Sequence, residues 1–166
     1  MANRDRPRGA WPIYDLHAGS AIPINRYAVD SSNGTAIFPG DFVIRESDGN
    51  VAPYTGSSGG NLLGVCVGVD GDFDDLTRTY LPASTAGNIF VADGVYTVFG
   101  VQTSGTITAD DAGNNADVTS TAGDTATGTS RHEVSDTTAT STAQLRLLRP
   151  IDRPDNDVTL ANSDWE

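Results

Sequence analysis

The chain has 166 residues and a mass of 17.3 kDa, the length of one ordinary domain, enough to bury roughly two thirds of the surface its unfolded form exposes. Its formal net charge is −12 with a pI near 4.2, all ten basic residues are Arg, and residues 79–130 contain neither Arg nor His. That balance argues against a nucleic-acid binder, which needs a basic face for phosphates, and no apolar run has the length of a membrane span.

In chain order, residues 1–18 read as an extended N-terminal arm. Three Arg fall within the first eight positions, followed by Gly9 and by Trp11 and Tyr14 around Pro12. The arm lacks the apolar core of a signal peptide, which predicts synthesis and retention in a cytoplasm. By composition the segment reads equally as a frayed terminus or as a docking arm; the local charge reversal in an acidic chain motivates docking, in which Arg forks pair with partner carboxylates and Trp or Tyr fill apolar pockets.

From residue 26 to 101 the chain reads as short strands separated by turn dipeptides. Residues 36–38 and 42–44 flank Pro39-Gly40. Asp48-Gly49 separates residues 44–46 from Val51-Ala52, and residues 88–91 meet residues 95–99 across Asp93-Gly94. Asp-Gly between β-branched runs is a hairpin pattern, because the turn requires positive φ. With 18 Gly and 8 Pro, the reading is all-β: one small antiparallel β-barrel or sandwich. One helix is predicted over residues 72–80, with Asp72 as cap and Phe73, Leu76 and Tyr80 on one face.

Residues 103–142 are mostly Thr, Ser, Ala, Gly, Asp and Asn, with Ile107, Val118 and Val134 as the sizeable apolar residues. They are expected to add little core, either as surface loops and edge strands, the favoured reading, or as a segment that becomes ordered only against a neighbouring subunit. Ala143, Leu145 and Leu147 alternate with Gln144 and Arg146 as a strand with one wet face. The β-rich domain is thus set at residues 19–150, and residues 151–166 read as an extended tail ending near Trp165.

Patterns that imitate chemistry fail on inspection. Gly56-Ser57-Ser58-Gly59-Gly60 matches a nucleophile elbow, but no helix-forming sequence follows it, so a hairpin loop is the reading. His17 and His132 are far apart, and Cys66 sits in the apolar run 62–67 as a small hydrophobe, so neither a disulfide framework nor a Cys/His zinc site is expected. Residues 70–75 open like a calcium loop, yet the sixth position is Asp75 rather than Gly and the twelfth is Leu81 rather than Glu. No catalytic, cofactor-binding or metal-ligating residue is expected.

An ordered series of segments carries a resemblance. The opening Met1 to Gly9, residues 30–41 with Gly34-Thr35-Ala36 and Gly40-Asp41, and Leu63-Gly64-Val65-Cys66-Val67-Gly68 come first. Tyr80-Leu81-Pro82-Ala83-Ser84, Val91-Ala92-Asp93, Gly113-Asn114-Asn115-Ala116-Asp117, Ala143-Gln144-Leu145-Arg146 and Asp152-Arg153-Pro154-Asp155-Asn156 follow. Across almost the whole chain this order resembles a family of tailed-phage and prophage head decoration, or cement, proteins. Residues 10–13 depart from it, having Trp11 in place of a Phe-containing segment, and family members continue past Trp165 with a short final strand.

The resemblance implies a non-enzymatic virion protein on the capsid exterior that binds the phage major capsid protein and stabilises the assembled shell. It further implies self-association, a homotrimer over local threefold positions with a dimer as the alternative, and no nucleic acid or membrane partner. Arg4, Arg6, Arg8, Trp11 and Tyr14 are the expected capsid contacts, and Arg149, Arg153, Asn156 and Trp165 the expected tail or oligomer contacts. Another virion role, in a tail or host-adhesion β module, is the alternative. A hydrolase is disfavoured, since no base and nucleophile pair is recognisable.

Overall fold

The computed structural model describes residues 3–56, 61–72, 74–139 and 143–166. Through them run β1 (Trp11–Asp15), β2 (Ile24–Val29), β3 (Phe42–Arg45), β4 (Val51–Pro53), β5 (Leu62–Val69), β6 (Gly87–Ala92) and β7 (Thr97–Gln102). A 3-10 turn at Ala109–Asp111 precedes β8 (Asn115–Thr119), β9 (Glu133–Ala139), β10 (Leu145–Arg146) and β11 (Asp164–Trp165). The protein is all-β and sandwich-like. Three antiparallel sheets have the orders β2-β6-β5-β3-β4, β1-β7-β11 and β10-β8-β9. Among the described residues no helix is long and apolar enough to cross a membrane.

The Asp48-Gly49 hairpin forms as expected, pairing Val43 with Pro53 and Arg45 with Val51, with Gly49 at φ +93°. Two other turns do not close hairpins. Ile37 bridges to Leu81 instead of pairing with β3 across Pro39-Gly40. Across Asp93-Gly94, β6 and β7 part into different sheets, because β2 and β5 already occupy both edges of β6. The expected helix over residues 72–80 is replaced by turns in its described residues, and Leu76 is 82% exposed. The Asp72 carboxylate accepts from the Asp74 N–H and the Asp75 carboxylate from the Thr77 N–H. Such side-chain turns compete with the helical backbone ladder. Phe73, and Ser57 to Gly60 of the elbow-like pattern, lie outside the described residues.

Burial divides into two clusters. One, in the five-stranded sheet, gathers Val29, Ile37, Val43, Val51, Cys66, Leu81, Ile89 and Val91. The other joins all three sheets through residues that include Ala10, Phe42, Tyr54, Val101, Leu147 and Trp165. Ile107, Ala116, Val118 and Val134 belong to this second cluster, which corrects the expectation that residues 103–142 add little core. These four side chains are buried from β8, β9 and the preceding loop, so a polar composition is compatible with a real packing layer.

Cys66 is wholly buried, and burial pushes its thiol up to about 12. The thiolate is the reactive form. A thiol reagent at pH 8 is therefore expected to leave the native protein unlabelled and to label it once in denaturant; rapid native labelling by mass spectrometry would contradict that burial.

Candidate functional site

The two segments expected to reach partners, the N-terminal arm and the C-terminal tail, meet each other. β1 and β11 flank β7 on opposite edges, with Trp11 opposite Gly100 and Trp165 opposite Val101. This corrects the picture of a free arm and a free tail: residues 11–15 and 164–165 are strands of the body. The chain enters β1 through Gly9, at φ +74°, which lies against Gly40; the Ala10 N–H donates to the Gly40 carbonyl at 2.8 Å. A Cβ on Gly9 would overlap that carbonyl, so this crossing requires glycine. Gly100 serves differently, since its missing side chain leaves the space that the Trp11 indole fills.

Gln102, buried at the end of β7, ties both segments. Its Oε1 accepts from the Arg6 N–H at 2.9 Å, while its Nε2 donates to the carbonyls of Arg4 at 3.0 Å and Asn162 at 3.1 Å. Asn3 adds a second tie: its amide donates to the Asp157 carbonyl at 2.7 Å and its Oδ1 accepts from the Asp157 N–H at 2.8 Å. Asn156 holds the tail's own loop, donating to the carbonyls of Ile151 and Asp164 and accepting from the Asp164 N–H.

Charge is organised around two carboxylates. Asp164, almost buried, takes Arg153 at 2.8 Å and stands 4.0 Å from Arg8. Arg8 also lies 4.0 Å over the Trp11 ring, a cation–π contact that consumes one face of the expected anchor. Glu166 is gripped by the Arg149 fork at 2.9 and 3.2 Å and accepts from the Tyr14 hydroxyl at 2.9 Å. That hydrogen bond raises the Tyr14 pKa, and the same carboxylate raises that of Arg149. These exposed arginine pairs add little stability, so the clasp rests mainly on backbone pairing and burial.

Of the nine expected contacts, Arg4, Arg6, Arg8 and Arg149 are exposed, and Trp11, Tyr14, Arg153 and Asn156 are half-buried. Trp165 is not a surface contact. It is 0% exposed, with its indole N–H donating to Ser163 Oγ at 3.0 Å, and packs in the chain's own core. Arg4 and Arg6 make no ion pair among the described residues. Four of the ten arginines, at positions 4, 6, 8 and 153, lie in the two joined segments, and Arg149 is tied to them through Glu166. Asn3, Gln102, Asp164 and Glu166 were not singled out in the sequence. Only Gln102 had a recognisable mark there, as a polar residue closing the apolar run of β7.

The groups that could suggest chemistry have local hydrogen-bond or ion-pair partners. His132 Nδ1 accepts from the Phe42 N–H at 3.1 Å, and Ser130 donates to Asp41 rather than to the histidine. Asp30, Glu46 and Asp48 come within 4.8 Å of one another. Asp30 already accepts from Ser32 and Asn50, and Asp48 from Asn50, so these acids close their own turns. Asp72, in the calcium-like segment, pairs with Arg78 at 2.8 Å.

No protein-family model matches the chain, and no curated protein and no solved structure matches it.

Proposed function

We propose that this chain is a structural, non-enzymatic decoration protein of a tailed-phage head, which binds the outer surface of the assembled capsid and stabilises it. The observation that carries the reading is the clasp: the arm and the tail join along β7, with Arg8 and Arg153 at Asp164, Arg149 on Glu166 and the Arg4 and Arg6 backbones held by Gln102, in a protein of net charge −12. Two of these arginines, Arg4 and Arg6, extend from a backbone already fixed by Gln102, so they can meet acidic groups without the cost of ordering a loose arm. The identity of the partner, the major capsid protein, comes from the family resemblance along the sequence. Binding the assembled shell and not its dissociated subunits stabilises it by mass action, about 2.7 kcal/mol per site at a hundredfold excess over the dissociation constant.

The test mixes purified protein with undecorated heads and measures occupancy after sedimentation, with electron cryomicroscopy to locate the bound copies. Deleting residues 1–14 would remove β1 and confound the result, so charge reversal is the suitable variant. Wild type is expected to sediment with the heads, and R4E/R6E to lose occupancy at least about tenfold while keeping its circular dichroism spectrum. Equal occupancy by the variant would remove the clasp from the interface. Retention by tails or host cells, with none on heads, would transfer the function to a tail or adhesion module.

A further inference from the structure

Asn33 is the one Asn in the chain that precedes a Gly. It lies between β2 and β3 in a loop held by a neighbouring segment: its carbonyl accepts from the Ser84 N–H at 2.7 Å, and beyond it Ile37 and Leu81 exchange backbone hydrogen bonds at 2.9 Å. The Asn33 side chain folds back on its own backbone. Its Oδ1 accepts from the Thr35 N–H at 3.3 Å and its Nδ2 donates to the Thr35 carbonyl at 2.9 Å. Such a closure two residues on turns Cγ toward the intervening Gly34 nitrogen. The Gly34 N–H makes no hydrogen bond among the described residues, and a Cβ on Gly34 would meet nothing within 4 Å.

These are the parts of an intramolecular acyl transfer: an unshielded nitrogen held beside a carbonyl carbon, with no entropy left to lose in bringing them together. The Thr35 N–H already donates to Oδ1, the atom on which negative charge develops as the nitrogen adds. The two Asp-Gly turns of the β-strand region lack one part or another. At Asp48-Gly49 the side chain folds back in the same way, accepting from the Asn50 N–H at 2.9 Å, but the Gly49 N–H is committed to the Glu46 carbonyl at 3.1 Å. At Asp93-Gly94 the space beside the glycine is filled by Thr97 and Pro23. An ionised carboxylate is also a far poorer electrophile than an amide.

We propose that Asn33-Gly34 is a self-modification site, at which the Gly34 nitrogen attacks Asn33 Cγ and the side-chain amide leaves as ammonia. The Gly34 nitrogen gives its proton to solvent, the new N–Cγ bond closes a succinimide, the Cγ–Nδ2 bond breaks and the departing nitrogen takes up a proton; nothing is oxidised or reduced. Water then opens the ring at either carbonyl and leaves aspartate or isoaspartate. Both products add a carboxylate three residues from Asp30 in a chain whose net charge is already −12. Isoaspartate also lengthens the main chain by one methylene and takes the acceptor of the Ser84 N–H out of it. The inference does not rest on capsid binding, because it concerns the free protein in solution.

The test incubates the full chain in heavy-oxygen water at neutral pH and digests it with trypsin in ordinary water. Because the chain has no Lys, residues 27–45 are released as one peptide whose only Asn is Asn33. Mass spectrometry is expected to show this peptide exchanging its amide for an acid, with one heavy oxygen, before any other Asn of the protein reacts. An isoaspartyl methyltransferase should then methylate it. G34A, which the open space at Gly34 accommodates, is expected to keep the circular dichroism spectrum and to slow the conversion at least about tenfold, because its methyl group shields the attacking nitrogen. A native protein that keeps the Asn33 amide while a urea-denatured sample loses it would overturn the proposal, as would a G34A protein that converts at the wild-type rate.

Discussion

Trp165→Ala is expected to destabilise the protein by about 3–5 kcal/mol, the range for truncating a fully buried large aromatic residue. The side chain is wholly buried and is the largest such group in the molecule. It packs in the cluster with Ala10, Phe42, Val101, Ile107 and Leu147, which come from all three sheets and the loops between them. Its backbone pairs with Val101 on one side and bridges Pro150 on the other, so the cavity would open where β7 and residues 148–151 are held together. Urea unfolding followed by circular dichroism measures the loss. Fluorescence is less suitable, because the substitution removes one of two tryptophans. A cost below about 1 kcal/mol would mean that the C-terminal strand is dispensable packing. Because the same strand anchors Asp164 and Glu166, the variant should also weaken head binding indirectly, which is why the surface substitutions R4E/R6E are the ones that isolate the contact.

What was legible in the sequence was local. The Asp48-Gly49 turn and its flanking strands follow from a dipeptide that favours positive φ between two β-branched runs, and nothing distant competes with them. Asp93-Gly94 has the same appearance but a different outcome. Ile89 and Val91 on β6 pack in one cluster and Val101 on β7 in the other, so the chain changes sheets at the turn. That division depends on which strands occupy the edges of β6, and those strands lie far away in sequence. The helix expected over residues 72–80 was suggested by the spacing of Phe73, Leu76 and Tyr80. Asp72 and Asp75 instead bind the backbone two residues on, and Tyr80 stacks on Phe38 at 4.7 Å.

The arginines and aromatic residues of the site were recognisable as types, while their mutual arrangement was not. Arg8 and Tyr14 stand more than 150 residues from the acids they meet, and a charge run cannot indicate whether its partners belong to the same chain. The same holds for Trp165. A tryptophan near a chain end has the composition of an exposed anchor, and only the pairing of β11 with β7 makes it core. Asn3, Asn156 and Gln102 act through backbone groups, whose positions no residue pattern encodes.

The second large effect belongs to Asp41. Asp41→Ala is expected to cost about 2–5 kcal/mol, because it orphans two buried donors at about 1–3 kcal/mol each. The Phe38 N–H donates to Asp41 Oδ2 at 2.8 Å and the Ser130 hydroxyl to Oδ1 at 2.6 Å, while His132 Nε2 stands 3.7 Å from Oδ1. The carboxylate thereby joins the turn at residues 38–42 to residues 130–132, beside the Gly9–Gly40 crossing. Burial raises the Asp41 pKa and lowers that of His132, with each partner's charge opposing the shift. The histidine's contribution to stability is therefore complete above its unfolded value near 6.5 and is lost as pH falls below it, since the unfolded chain takes up the proton first. Protonating Nδ1 would also set it against the Phe42 N–H that it now accepts. Asp41 acts in the opposite sense, adding stability as pH falls through its raised folded value toward 3.8. Glu133 does likewise from about 7 downward, its burial and Asp5 both raising it. The readout is consequently a difference: urea midpoints of wild type and H132N compared from pH 8 to 5. Asn retains an acceptor for the Phe42 N–H but does not titrate, so the gap between the two proteins should narrow as pH drops below 6.5. A gap that stays constant over that range would show that His132 is not held neutral by its burial.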